Sequence, residues 1–251
     1  MRRVPIDPGE LGEAPLTGRT LELSDAAAHY LRDVLRLSQG EVVELFDGRG
    51  RVLRAALARV DALSVFVDIT RDARSDHGES PVSLTLYQAI PKGDRWEWVL
   101  EKVTELGIER IVPLHTQRSV VRVPEGKQAK KLERWARIAQ SAARQCGRTR
   151  TPEIDAPRTT GKAGAALDYD LTLLCSTDPG ALALDVALET HAEARHIALF
   201  VGPEGGWTAQ EERLLEAAGA VRVTMGPRIL RSETAGVVAV ALAQHKLGDL
   251  R

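Results

Sequence analysis

Two loops near the carboxyl end of the chain contain the residues best suited to binding a ligand. Residues 202–207 read G-P-E-G-G-W, and residues 225–235 read M-G-P-R-I-L-R-S-E-T-A. Glycine lets the backbone approach a ligand closely, and proline fixes the course of a loop. One such loop is compatible with an ordinary turn. Two in succession, the second of which carries Arg228, Arg231 and Glu233, favour a functional site.

Each loop follows a short apolar run and precedes a helical pattern. The runs at residues 197–201 and 221–224 predict strands, so that each loop begins where a strand ends. In an open α/β sheet, ligands bind in the crevice beyond the carboxyl ends of parallel strands. We therefore expect both loops to line one ligand crevice. The alternative is a pair of ordinary strand-to-helix turns.

The pattern from residue 82 to residue 251 alternates between strands and helices. It predicts strands at residues 82–90, 108–114, 171–175, 197–201 and 221–224. It predicts helices at residues 95–106, 127–146, 181–190, 209–218 and 233–247. Asp94 with Glu97, and Thr208 with Glu211, have capping-box spacing. The last helix is rich in alanine and valine and should be buried on most sides. The alternation predicts an α/β fold with a mostly parallel sheet covered on both faces.

The first seventy residues have a different pattern. They predict short strands at residues 20–23, 41–47, 51–60 and 63–70. One helix is expected at residues 25–35, with Ser24 as its N-cap and an apolar side formed by Tyr30, Leu31, Val34 and Leu35. Several short strands with one helix indicate a small β-barrel. The polar residues 73–81 predict a linker, which divides the chain into domains at residues 1–72 and 82–251.

Positive charge is concentrated in one segment, although the formal net charge of the chain is −1. Residues 118–150 contain ten lysines and arginines against two glutamates, which gives this segment a net charge of +8. So dense a basic segment indicates a phosphate backbone as partner. The alternative is a solvated helix face, although such faces usually mix both signs. The arginines of the first domain are compatible with phosphate contacts or with scattered solvated positions.

Several chemistries are disfavoured by missing patterns. The glycine fingerprint of dinucleotide-binding proteins, the phosphate-binding loop and the nucleophile elbow do not occur. The six histidines are scattered and there are only two cysteines, so we expect neither a metal site nor a disulfide scaffold. Without a signal peptide or an apolar run of membrane-spanning length, a cytoplasmic setting is expected. The remaining interpretation is a ligand held by backbone loops.

At these loops the sequence resembles a known family. The two loop sequences are similar to the hallmark motifs of the RsmE family, which are ribosomal RNA N3-uridine methyltransferases of the SPOUT superfamily. Further similarity lies in E-L-G-I at residues 105–108, R-S at 118–119, K-L-E-R-W at 131–135, H-Y-L-R-D-V-L-R-L-S-Q-G-E at 29–41 and F-D-G-R-G at 46–50. The resemblance covers essentially the whole chain. It departs at residues 173–178, L-L-C-S-T-D, where the family pattern favours an acidic or histidine-containing turn.

The resemblance implies a fold and a reaction. The fold is a SPOUT α/β-knot, in which a mostly parallel sheet has a deep C-terminal trefoil knot, preceded by a small PUA-like β-barrel that binds RNA. The implied cofactor is S-adenosylmethionine, and the implied assembly is a homodimer. The implied substrate is 16S ribosomal RNA of the small ribosomal subunit, methylated at N3 of one uridine (uridine 1498 in the family). N3 lies on the Watson–Crick edge, so the target base must be unpaired or flipped out.

The resemblance also implies roles for particular residues. Arg231, and in second place Arg228, would stabilise the negative charge that forms when N3 loses its proton. Glu233 would accept that proton, or would only orient Arg231 or cap the last helix. Cofactor contacts are implied for Leu174, Gly202, Glu204, Gly205, Gly206, Met225, Gly226, Ile229 and Leu230. RNA contacts are expected for Arg2, Arg3, Arg36, Arg118, Lys130, Arg134, Arg144 and Arg148. Trp207 has two interpretations, stacking on a base or packing in the core.

Two other functions remain open on the sequence. One is methylation of a ribose 2′-hydroxyl by an enzyme of the same knotted fold. The other is a non-catalytic RNA-binding or ribosome-assembly protein, which the basic segment and the barrel would also suit. The two glycine loops disfavour this second alternative, because a protein that only binds RNA does not need a backbone-lined cofactor crevice.

Overall fold

The computed structural model describes residues 1–165 and 167–250 and divides into two compact units. The first unit comprises Met1–Glu79 and Ala143–Thr151, and the second comprises Ser80–Ala142 and the described chain from Pro152 onward. The segment Ala143–Thr151 was not expected from the sequence in the first unit. Within the described ranges, no helix is at once long enough and apolar enough to cross a bilayer.

The first unit is built on a five-stranded sheet. Its strands are β1 (Arg2–Pro5), β2 (Thr20–Glu22), β3 (Val42–Phe46), β4 (Arg51–Val60) and β5 (Val65–Arg74), in the spatial order β1-β3-β4-β5-β2. The short helices α1 (Pro8–Leu11) and α2 (Asp25–His29) accompany it. Residues 47–50 form a hairpin turn between the antiparallel strands β3 and β4, in which Asp47 Oδ1 accepts bonds from the amides of Arg49 and Arg51.

Two details of the first unit differ from the sequence prediction. The helix expected at residues 25–35 is α-helical only to His29 and continues as a π-turn, Tyr30–Val34. The wider turn changes the helical period, so that Leu31 is buried while Val34 is 56% exposed. Ser24 precedes the helix but makes no capping bond with its side chain. Strand β5 extends to Arg74 and therefore enters the segment predicted as a linker.

The second unit contains an eight-stranded sheet in which all paired strands are parallel. Its strands are β6 (Ser83–Ala89), β7 (Arg110–His115), β8 (Glu153–Ile154), β9 (Arg158–Thr159), β10 (Leu171–Cys175), β11 (Leu182–Ala183), β12 (His196–Val201) and β13 (Val221–Thr224). The spatial order is β11-β13-β10-β12-β6-β7-β8, with β9 also paired to β7. The predicted mostly parallel sheet is confirmed.

Helices connect the strands of this sheet. They are α3 (Arg95–Glu105), α4 (Glu125–Cys146), α5 (Thr160–Gly164), α6 (Leu184–Thr190), α7 (Ala209–Ala217) and α8 (Ser232–Leu247). Alternate strand residues contribute to two separate apolar cores: Leu199 packs in the core that contains residues of α3, α6 and α8, whereas Phe200 packs in the core that contains residues of α5 and α7. The sheet is thus buried on both faces, as such strands require.

The helix ends test the capping predictions. The box at Thr208 and Glu211 is confirmed, with both reciprocal bonds present. Asp94 precedes α3 but makes no capping bond with its side chain, so that prediction was wrong. Helix α6 begins at Leu184 rather than at residue 181, because Leu182 and Ala183 pair with β13 as a short strand. Helix α8 is largely buried, and a side chain at Gly236 would overlap Gln88.

Candidate functional site

A crevice of about 250 Å³ lies at the carboxyl ends of three neighbouring parallel strands, β12, β10 and β13. Its walls come from the last residue of each strand and the residues just after it, at 175–177, 201–203, 205–207 and 224–230, and from the start of α8. The two glycine loops therefore meet at one site, as the sequence predicts. The third wall, after β10, was outside the two-loop prediction because strand order is not visible in the sequence.

The first loop is folded around Trp207. The indole is buried, and its Nε1 donates to the carbonyl oxygen of Cys175 at 3.0 Å. A Cβ on Gly202 would lie 3.0 Å from the indole ring, so only glycine fits there without displacement. Trp207 thus links the loop after β12 to the end of β10 and is part of the core. Of the two interpretations of Trp207, the structure has the packed one.

Arg118 fixes the outer part of the same loop. Its Nη1 donates to the carbonyl oxygens of Gly205 at 2.9 Å and Trp207 at 3.1 Å. Gly205 is tightly packed against this side chain, because an added Cβ would lie 3.2 Å from the Cβ of Arg118. The sequence suggested Arg118 as an RNA contact, whereas the structure places it in the crevice wall with two backbone partners.

The second loop is joined to the first through the start of α8. The hydroxyl of Ser232 donates to the carbonyl oxygen of Gly202 at 2.7 Å, and Gln88 Nε2 donates to the carbonyl oxygen of Ser232 at 2.9 Å. Gly226 has φ = +106°, a conformation that side-chain-bearing residues rarely adopt. Leu230 packs on the core, whereas Ile229 is 83% exposed. The loop therefore combines an anchored base with an open tip.

The crevice mixes apolar and charged groups. Val201, Met225 and Ala235 contribute apolar surface, while Arg228 and Glu212 contribute opposite charges. The hydroxyl of Ser176 bonds Glu212 Oε1 at 3.4 Å. Burial raises the pKa of the Cys175 thiol to about 12, so the thiol stays protonated and serves as a neutral wall rather than a nucleophile.

Most residues that the resemblance assigned to the cofactor do line this crevice. They are Gly202, Gly205, Gly206, Met225, Gly226, Ile229 and Leu230. Two do not. Leu174 is fully buried on the opposite face of the sheet, because side chains alternate along β10 and Cys175 takes the crevice side. Glu204 is exposed and lies outside the lining.

The three residues assigned to catalysis occupy different positions. Arg228 lines the crevice, whereas Arg231 is exposed at the N-cap of α8 and is not among the lining residues. Neither guanidinium has an ion-pair partner within the described ranges. Glu233 is buried in the first turn of α8, with Oε1 3.3 Å from Arg95 Nε, and its Oε2 is buried without a hydrogen-bond partner among the described residues.

Most of the predicted RNA contacts have partners within the protein. Arg3 pairs with Glu44 at 2.6 Å and Arg134 with Glu97 at 2.7 Å, while Arg2 is 3.9 Å from Glu41. Arg144 lies over the ring of Tyr30.

Arg148 is the extreme case, because it is 4% exposed and pairs with Glu79 at 2.7 Å. Its side chain is a buried structural group in the first unit, which does not suit an RNA contact. By contrast, Lys130 and Arg36 are exposed. The basic segment is therefore not one uniform surface.

Sequence analysis missed part of the site. Six crevice residues were not named individually as cofactor contacts: Cys175, Ser176, Thr177, Glu212, Thr224 and Ser232. Arg95, the partner of Glu233, was also missed. Arg95 lies far from Glu233 in sequence, and no local pattern connects the two. Among the described residues, no group of three or more His, Cys, Asp or Glu is placed to hold a metal ion.

The fold and the site define an α/β protein with a small-molecule crevice in its second unit, and a separate sheet-based first unit that contains residues 1–79. A family model described as an RNA methyltransferase domain matches residues 78–244, and one described as an RNA methyltransferase PUA domain matches residues 23–70. The chain is thus an RNA methyltransferase, and it belongs to the ribosomal RNA small subunit methyltransferase E family.

Individual relatives support this membership. The ribosomal RNA small subunit methyltransferase E of Synechocystis is 37% identical over 95% of this chain and 76% of its own length. That of Bacillus subtilis is 30% identical over 96% of this chain and 94% of its own. The crystal structure of the Neisseria gonorrhoeae protein of this name, bound to S-adenosylmethionine, superposes with a TM-score of 0.87 at 34% identity and covers both chains completely.

Proposed function

We propose that this protein transfers a methyl group from S-adenosylmethionine to N3 of one uridine in the 16S ribosomal RNA of the small subunit. The observation that carries the proposal is the crevice beyond β12, β10 and β13, whose loops have the hallmark sequences of the family. Membership in the ribosomal RNA small subunit methyltransferase E family supports the substrate class.

The residues of the crevice suit the cofactor. Met225, Leu230 and Val201 offer apolar surface for an adenine ring, and backbone groups of the glycine loops are accessible beside it. Glu212 and the hydroxyls of Ser176 and Thr177 offer partners for ribose and amino groups. The volume of about 250 Å³ is near the lower end of ligand pockets, about 300–1,000 Å³. When bound, S-adenosylmethionine supplies the methyl group and its leaving group.

The protein then has to present the base and stabilise its charge. Loss of the N3 proton spreads negative charge over N3, O2 and O4 of the uracil ring. A guanidinium beside the ring stabilises that charge, more strongly in a site from which water is excluded. We assign this role to Arg231, with Arg228 as the second candidate. Neither has an ion-pair partner among the described residues, and Arg228 already lines the crevice.

Glu233 has two roles to distinguish. Its Oε1 holds Arg95, which supports a positioning role in the first turn of α8. Its buried Oε2, without a partner among the described residues, supports proton acceptance. Replacement by glutamine keeps the shape but removes the basicity, so a Glu233→Gln variant that still turns over with an unchanged pH profile would assign Glu233 to positioning alone.

Three further properties belong to this proposal. The C-terminal part of the chain forms the deep trefoil knot of the SPOUT fold, the protein works as a homodimer, and it acts in the cytoplasm. The knot is supported by the similarity over the full chain and by the packing of α8 against α3, α6 and β12. The exposed apolar residues Ile229 and Leu242 are compatible with a subunit interface.

The deciding experiment is methyl transfer from labelled S-adenosylmethionine to small ribosomal subunits that lack the modification, with the product nucleoside identified by mass spectrometry. N3-methyluridine at one position is the expected result. Label in a ribose would retain the fold and overturn the acceptor atom. No transfer by a protein that binds the cofactor would overturn the substrate.

Variants then assign the arginines. Arg231→Ala should abolish turnover with little change in cofactor affinity, because its guanidinium acts on the base. Arg228→Ala tests the second candidate in the same assay. Arg213→Ala, which removes an exposed arginine of α7 outside the crevice lining, is the matched control and should retain full activity.

A further inference from the structure

A second cavity, of about 230 Å³, lies on the sheet of the first unit. It is bordered by Met1, Glu44, Val52, Arg54, Arg71, Ala73, Arg74 and Ser75. None of the three arginines was among the RNA contacts predicted from the sequence. All three are exposed, and none of their side chains has an ion-pair or hydrogen-bond partner within the part of the chain that the structure describes.

The strand register brings two of these charges directly together. Arg54 on β4 is opposite Arg71 on β5. On the other side of β4, Arg54 is opposite Glu44 of β3, whose carboxylate is already bonded to Arg3 at 2.6 Å. Like charges directly opposite in an antiparallel pair repel and destabilise the sheet. Because Glu44 is already paired with Arg3, it does not neutralise the charges of Arg54 and Arg71. A bound anion would relieve the repulsion between these two arginines.

The floor of the cavity adds a second kind of contact. Val52 and Ala73 are opposite each other, two residues along from Arg54 and Arg71, so the two pairs share one face of the sheet. Both are partly exposed. An apolar floor beside guanidinium groups suits an unpaired nucleotide, with its base on the floor and its phosphates on the arginines.

We propose that this face, formed by Val52, Arg54, Arg71 and Ala73 and bordered by Arg74, binds an unpaired segment of the substrate RNA. The inference rests on the proposed function, which makes RNA the partner, and it goes further by naming the surface of the first unit that takes the strand. It predicts that this part of the RNA is single-stranded, because the bases of a duplex are stacked and unavailable to the floor.

The test is a double substitution, Arg54→Gln with Arg71→Gln, in the full-length protein. Binding of a short fluorescent single-stranded RNA of mixed sequence is measured across a range of salt concentrations. Affinity at low salt should fall about tenfold, and the slope of log K against log salt should decrease by about 0.7 for each phosphate that the variant no longer neutralises. The melting temperature should stay the same or rise, because a repulsive pair has been removed.

Arg59→Gln is the matched control. Arg59 is an exposed arginine of the same strand, but it is paired with Asp61 at 2.8 Å and covers the ring of Phe66. This variant should keep the RNA affinity and the salt slope of the original protein. If the double variant also keeps both, the proposal is overturned. A double variant that loses affinity only by unfolding, as shown by a lowered melting temperature, would overturn it as well.

The outcome is separable from that of the proposed function. Every residue that lines the crevice lies in the second unit, so the double variant should bind S-adenosylmethionine with unchanged affinity. A protein that methylates ribosomal subunits while the double variant keeps its RNA affinity would contradict only the surface named here. A protein that binds the RNA through Arg54 and Arg71 but transfers no methyl group would contradict only the proposed reaction.

Discussion

Individual side chains fix the positions of the segments that line the crevice. Arg118 reaches two carbonyl oxygens of the first loop, Trp207 bonds to Cys175, and Ser232 bonds to Gly202. Each of these bonds joins segments that are distant in sequence. These bonds hold the backbone of the loops in place before a ligand binds. A ligand that is held by backbone groups requires this preorganisation.

Replacement of Arg118 by lysine tests this arrangement. Lysine keeps the charge, but its ammonium lies on a flexible stem and lacks the rigid planar group that directs Nη1 at both Gly205 and Trp207. We expect cofactor affinity to fall about tenfold, or roughly 1.4 kcal/mol, because the loop must be ordered on binding. Calorimetric titration with S-adenosylmethionine measures the change. Arg213→Lys is the control, and equal affinities for the two variants would mean that Arg118 does not position the loop.

A glycine in the second loop provides a second test. Gly226 has φ = +106°, and there is open space around it, so an added methyl group meets only backbone strain. Gly226→Ala should lower the free energy of unfolding by about 1–3 kcal/mol, or shift the loop and weaken cofactor binding. Gly126→Ala in α4 is the matched control, since Gly126 has equal space and no positive φ; it should gain up to about 1 kcal/mol. Denaturant unfolding measures both variants. Equal changes in the free energy of unfolding would mean that the positive φ of Gly226 causes no strain in the alanine variant.

At the scale of an element, α7 depends on a buried carboxylate. Glu211 closes the capping box with Thr208, and its Oε1 accepts bonds from the amide of Gln117 and the hydroxyl of Thr160. Burial alone would raise the pKa of Glu211, but these hydrogen bonds outweigh burial and lower it. The helix is therefore connected to β7 and α5 through one ionised group.

The pH dependence of stability follows from this lowered pKa. A carboxylate whose pKa is lower in the folded protein stabilises it fully above its unfolded pKa, and that stability is lost as the pH falls through the folded value. Glu211→Gln should therefore cost about 2 kcal/mol at neutral pH, and the difference from the original protein should shrink in acid. Chemical denaturation at several pH values measures it. A gap that is constant with pH would show that the charge of Glu211 is not what stabilises α7.

In the first unit, one carboxylate likewise connects two separate segments of the chain. The carboxylate of Glu79 bonds the guanidinium of Arg148 at 2.7 Å, and it also accepts bonds from the amides of Thr149 and Arg150. Glu79→Ala removes the carboxylate that pairs with the guanidinium of Arg148, a residue that is only 4% exposed. This variant should destabilise the unit by about 3–5 kcal/mol. Glu79→Gln, which retains hydrogen bonding, should cost less. Equal losses for the two variants in thermal unfolding would indicate that the charge of Glu79, rather than its hydrogen bonding, stabilises the unit.

These elements show how far the sequence could predict the structure. The box at Thr208 and Glu211 was predictable because both halves lie within one turn. Strand β10 was predicted at its observed limits, but its position between β12 and β13 was not, and so Cys175, Ser176 and Thr177 were missed as the third wall. The Glu79–Arg148 pair and the Arg54–Arg71 pair were equally invisible, because each depends on long-range register or packing rather than on local spacing.

At the scale of the whole molecule, the cofactor crevice and the arginine-bordered cavity belong to different units. The crevice is formed within the second unit, and the arginine-bordered cavity within the first. The family models match each part of the chain, an RNA methyltransferase domain at residues 78–244 and an RNA methyltransferase PUA domain at residues 23–70.

This separation predicts where the cofactor stabilises the chain. At a concentration one hundred times its dissociation constant, a ligand that binds only the folded state adds about 2.7 kcal/mol. Hydrogen exchange with and without S-adenosylmethionine should slow in the crevice segments at 175–177, 201–207 and 224–230. Amides of β3, β4 and β5 should exchange at unchanged rates, because no described residue of the first unit lines the crevice. Protection that appeared in those strands instead would place the cofactor on the first unit, and the assignment of the crevice would be wrong.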